Sequence, residues 1–178
     1  MKLFLLFLCS GFLLILLQTT LFHLLPLGPI VPDLILVLCV YWALYRPTVS
    51  AALGSFILGY SVDVFSSPIL GVNTFAMSMV FFTTYLSSRY IWAHFFPNPF
   101  LVAAVVFIAS WVKVGALVVV WSLFMPTQGL WAGAVKYVFL EALFAAVLAP
   151  GLFFLLERGQ SHLEKGGKHF VAHAPADI

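Results

Sequence analysis

The chain has 178 residues, of which 63% are apolar and 8% charged, with a mean hydropathy of +1.13 and a formal net charge of +2. So little charge cannot coat a soluble globule, in which about 25% of residues are charged, and 19 Phe, 5 Trp and 6 Tyr exclude an unfolded chain. What is left is an integral membrane protein with room for about six or seven spans of roughly 20 residues and no separate soluble domain. No basic patch is dense enough to point to nucleic acid.

The first apolar run is Leu3–Leu25, interrupted by Cys9-Ser10-Gly11 and Gln18-Thr19-Thr20. It is longer than a signal-peptide core and no small-x-small cleavage site follows, so it reads as an uncleaved first helix. The second run, Leu27–Tyr45, carries Pro29 and Pro32 in its first third. Proline removes a backbone donor that lipid cannot replace. A regular helix is therefore expected to start at Asp33, whose carboxylate can cap the free amides of Leu34–Leu36. From Leu34 to Tyr45 such a helix rises only about 18 Å, too short to cross a core of roughly 30 Å. The third and fourth runs are Val49–Phe65 and Ile69–Ser87. Arg89–Pro99 is aromatic and fits an interfacial loop. The fifth run is Phe100–Met125, followed by the turn Pro126–Gly129, and the sixth is Leu130–Leu156. The predicted organisation is a transmembrane domain over 1–156 and a polar cytoplasmic tail over 157–178.

The positive charges test this count. With six helices, one side of the membrane holds Lys2, Arg46, Arg89, Arg158, Lys165 and Lys168, and the opposite loops hold no Lys or Arg. That segregation predicts an all-α, six-span protein with both termini in the cytoplasm; five or seven spans would break it.

A few polar residues fall inside spans or at their ends. Lys113 lies about 15 residues before the turn at Gln128 and Glu141 about 13 after it, so at 1.5 Å per residue both sit near mid-membrane. The two are expected to meet across the hairpin of helices five and six. Such a pair either fixes helix register or marks a polar cavity or relay. Lys136 is close enough to the outer interface to snorkel. Asp63 ends the third run just before Phe65-Ser66-Ser67-Pro68, where it can accept hydrogen bonds from the amides of the following turn. Gly54 and Gly59 can let helices approach closely. Cys9 and Cys39 read as small hydrophobes, and His169 and His173 as part of a solvated tail, with no metal site and no cofactor implied. HExxH, GxSxG and phosphate-loop patterns are missing, so no enzyme activity is expected.

One stretch carries a resemblance. Pro32-Asp33-Leu34 opens a helix ending in Tyr41-Trp42-Ala43-Leu44-Tyr45-Arg46-Pro47. Gly54-Ser55-Phe56-Ile57-Leu58-Gly59-Tyr60-Ser61-Val62-Asp63 then leads to Pro68-Ile69-Leu70-Gly71-Val72-Asn73. Over about residues 32–89 this resembles the MreD family, with its PDL-type entry, GF-x-x-G-x-x-x-D helix and P-x-x-G turn. Here a serine separates Gly54 from Phe56, and Tyr60 stands where Leu is usual. The resemblance implies a non-enzymatic subunit of the bacterial elongation machinery in the inner membrane. It would work with MreC, MreB, RodA and a class B penicillin-binding transpeptidase in lateral peptidoglycan synthesis and rod shape. It also implies a fold like the substrate-binding subunits of energy-coupling-factor transporters. By family analogy, Asp63, Pro68, Gly71 and Asn73, joined by Asp33, would form an outer-side element near MreC. The alternative is a vitamin-transporter subunit that holds a small molecule in a polar cavity near Lys113 and Glu141.

Overall fold

The computed structural model describes residues 11–16, 18, 32–45, 47–66, 69–91, 99–124 and 131–171. Their regular structure is entirely helical. The first helix, α1, is described over 11–16 and at 18. It is followed by α2 (Leu34–Tyr45), α3 (Val49–Ser66), α4 (Val72–Ile91), α5 (Pro99–Phe124) and α6 (Trp131–Val171).

The middle of the molecule is α2. It is apolar on every side, the mark of a helix surrounded by others, and all ten residues from Leu34 to Ala43 are buried. It packs against α3, α4, α5 and α6. Those four run as two antiparallel hairpins, α3–α4 and α5–α6, joined where α4 meets α5. At one end, Tyr41, Tyr45 and Phe153 cluster with ring centroids 5.0–5.6 Å apart, fixing α2 to α6. Hydroxyls inside the helices bond to their own preceding turn, as Ser55 Oγ does to the Ala51 carbonyl and Ser110 Oγ to that of Val106. This leaves no polar atom of theirs facing an apolar neighbour unmatched.

Gly54 and Gly59 serve different neighbours. A Cβ at Gly54 would lie 2.8 Å from the Trp42 ring of α2, and one at Gly59 would lie 2.8 Å from the Thr74 Cα of α4. The first glycine makes room for an indole; the second lets two backbones touch.

Two helices, over Pro99–Val120 and Lys136–Arg158, are long and apolar enough to cross a membrane, while Leu34–Tyr45 and Val49–Phe65 are shorter apolar helices. Helix α6 does not end where its apolar run ends. It continues through the polar stretch to Val171, for 41 residues in all. Within the polar 157–178 segment the chain is thus helical as far as Val171; the last seven residues lie outside the described ones.

Candidate functional site

Two polar constellations are built into this apolar framework. The first joins α3 to α4. Asp63 is completely buried near the last turn of α3. Its Oδ2 accepts hydrogen bonds from the Gly71 amide at 3.0 Å, the Thr74 amide at 2.9 Å and the Thr74 hydroxyl at 2.6 Å. Its Oδ1 accepts from the Asn73 amide at 2.9 Å and the Asn73 side-chain amide at 3.1 Å. The first amides of a helix have no partner within it and carry partial positive charge. One carboxylate from α3 therefore caps the start of α4. Gly71 lies in the connection with φ +97°, the left-handed region that a side chain disfavours. The Asp63, Gly71 and Asn73 of the sequence reading do come together, and Asp63 bonds the amides of the turn that follows it. Pro68 lies outside the described residues. Thr74 supplies two of the five bonds and was not singled out in the sequence. Its signal was an Asn-Thr pair at the start of an otherwise apolar run, where donors collect.

The second constellation lies between α2, α5 and α6. Asp33 caps α2 through its Oδ1, which accepts from the Leu36 amide at 3.0 Å. Its Oδ2 is ion-paired with the Lys113 ammonium of α5. The expected contact of Lys113 with Glu141 is thus not the one that forms. Glu141 stands close enough to bear electrostatically on both Lys113 and Asp33, but among the described residues it makes no ion pair or hydrogen bond. The reason is the shortness of α2. Asp33 lies 12 residues from Tyr45, so it stands about 18 Å above that end of the bundle. Lys113, 14 residues from Pro99, stands about 21 Å above the same end. A cap that the sequence reading grouped with the outer-side residues is therefore level with the lysine. It faces the interior and not the α3–α4 connection.

The remaining singled-out positions are simpler. Cys39 is buried in the core, and Lys136 is exposed. Cys9 and His173 lie outside the described residues. A groove of about 610 Å³ runs between α5 and α6, lined by residues such as Ala103, Phe107, Ala146 and Pro150. A smaller cavity of about 50 Å³ lies between α4 and α5 beside Val80 and Thr84. Neither is lined by Lys113 or Glu141.

A family model described as the rod shape-determining protein MreD matches residues 1–158. The chain belongs to the MreD family. The match takes in α1 to α5 and the apolar part of α6, stopping two residues beyond it. Both polar constellations thus lie inside the MreD-like region, and the α6 extension from Gly159 to Val171 lies beyond it. MreD proteins are membrane proteins with a role in determining rod shape, and the two long apolar helices fit that setting. No curated protein and no solved structure matches the chain.

Proposed function

We propose that this chain is a non-enzymatic scaffold subunit of the cell-elongation complex. In this reading it crosses the inner membrane six times with both termini in the cytoplasm, and supports lateral peptidoglycan synthesis by binding MreC within an assembly of RodA, a class B penicillin-binding transpeptidase and MreB. The observation that carries the reading is the family match over 1–158. The surface supports it as well. Phe56, Phe65, Phe82, Phe100, Leu123 and Val147 are each at least half exposed, an arrangement that suits lipid or a partner helix and would aggregate in water. The largely apolar outer faces and the separation of positive charge between the loops on the two sides favour the same topology.

The partner surface in this reading is the α3–α4 connection. Asp63 is too deeply buried to touch another protein. It acts as a positioning residue that holds the connection, and the exposed Leu70 and Gly71 would meet MreC. The test compares Asp63→Ala, Gly71→Leu and Leu70→Glu proteins in the native cell. The expected result is that Leu70→Glu inserts normally yet copurifies poorly with MreC and yields rounded cells. Insertion, MreC copurification and rods all intact in the three variants would remove the proposed surface. A saturable vitamin requirement in place of rounding on depletion would replace the scaffold reading with a transporter.

A further inference from the structure

We propose that the edge of α6 centred on Glu141 is a docking surface for a transmembrane helix carrying a basic side chain, Lys or Arg, near its middle. Positions 137, 141, 144, 148 and 155 follow one another at helical spacing and share one face of α6. Tyr137, Phe144, Leu148 and Leu155 are 52%, 43%, 40% and 65% exposed, and Glu141 is partly exposed beside them. Leftward of this stripe the helix turns into the core, where Ala142, Ala145 and Ala149 are buried.

Charge selects the occupant. Glu141 lies 16 residues before Glu157, which places it about 24 Å above the end of the bundle where Tyr45 lies, close to the level of Asp33 and Lys113. Those two neutralise each other as an ion pair. Glu141 adds a second carboxyl to the group, and among the described residues no second cation or hydrogen-bond donor answers it. With Glu141 ionised, the three side chains together carry one negative charge more than they balance. Carboxylates inside a bilayer are costly and are found facing protein or water, paired with a cation or a donor. An all-apolar helix would cover the stripe and leave that charge buried without an answer. A helix with one Lys or Arg at the same depth brings the missing cation and covers the aromatic and aliphatic neighbours at the same time, each side making tolerable a residue that is expensive alone.

The experiment places the full-length protein in lipid vesicles with labelled poly-leucine transmembrane peptides and reads association by energy transfer. One peptide has a single central Arg, one is all Leu, and one has a central Glu. The expected order is Arg tightest, by about tenfold or more over all-Leu, with Glu weakest. Glu141→Leu removes the Arg advantage, and Glu141→Gln, which keeps the shape of the side chain, reduces it. Phe75→Ala, on the exposed face of α4, leaves it unchanged. Equal association of the Arg and Leu peptides overturns the proposal, whether Glu141 then faces lipid as a neutral acid or lies under the first 31 residues of its own chain. So does an Arg advantage that survives Glu141→Leu in protein with unchanged helical content.

Discussion

The Lys113 ammonium donates to Asp33 Oδ2 across 80 residues of sequence, closing the buried start of α2 against the middle of α5. Each partner has a second constraint. Asp33 also caps its own helix, and Lys113 stands in the field of Glu141.

Removing one partner of a buried pair strands the other, at a cost of about 3–5 kcal/mol. Lys113→Met is expected to destabilise by this order. Asp33→Asn/Lys113→Met should recover most of the loss, because Asn still caps Leu36 and neither member of the pair is left as a stranded charge. A double-mutant cycle read by unfolding in mixed micelles checks this. Additive losses would show that the two residues do not act as a pair.

The Asp63 cap makes a graded prediction. Thr74→Val deletes one of five bonds, that from the hydroxyl, and should cost about 1–2 kcal/mol. Asp63→Ala deletes all five and leaves buried donors unanswered, for a loss of at least about 3 kcal/mol. Asp63→Asn should fall between them, since its amide NH₂ turns a donor toward other donors. Stability of all three variants equal to that of the unsubstituted protein would mean that the cap contributes nothing.

The glycines can be ranked by what surrounds them. Gly59→Ala drives a methyl into the α4 backbone and is expected to cost about 2–3 kcal/mol, as overpacking does. Gly71→Ala meets no atom within 4 Å, yet its φ of +97° makes it cost about 1–2 kcal/mol. Gly115→Ala, inside α5 with open space around it, should be neutral or slightly stabilising. Thermal unfolding of the three single variants gives the order directly.

Much of this arrangement is legible in the amino-acid sequence, and the exceptions have physical causes. A proline followed by an aspartate marked the start of α2, and Asp33 does cap it. The grouping of Asp63 with the following turn was equally local. The partner of Lys113 was not local. Depth counted from the Gln128 turn compares only helices five and six, and gives no position for a helix that starts part-way through the bundle. The different tasks of Gly54 and Gly59 were hidden for a related reason, because spacing along one helix does not say which neighbour lies over each residue. The helical run beyond Leu156 was obscured by composition. Gly, His and Lys report solvation more strongly than backbone state.

Helix α6 continues beyond the MreD match as a polar extension. Truncation after Arg158 removes residues that belong to neither polar constellation and leaves the core cluster whole. The shortened protein should unfold at the same temperature as the full chain while losing roughly the far-ultraviolet helical signal of the 13 residues from Gly159 to Val171. A lowered unfolding temperature would show that the extension braces the bundle.

The distance in sequence between Asp33 and Lys113 sets an order of assembly. Asp63 and its donors lie within 11 residues of one another, so that cap can close as soon as α4 emerges from the ribosome. Asp33 must wait for 80 further residues. At roughly 5–20 residues per second that is about 4–16 s. During this interval the anionic start of α2 lacks the Lys113 partner that it has in the folded protein. A nascent chain stalled between α2 and α5 is therefore expected to be cleaved more readily by added protease than one stalled after α5.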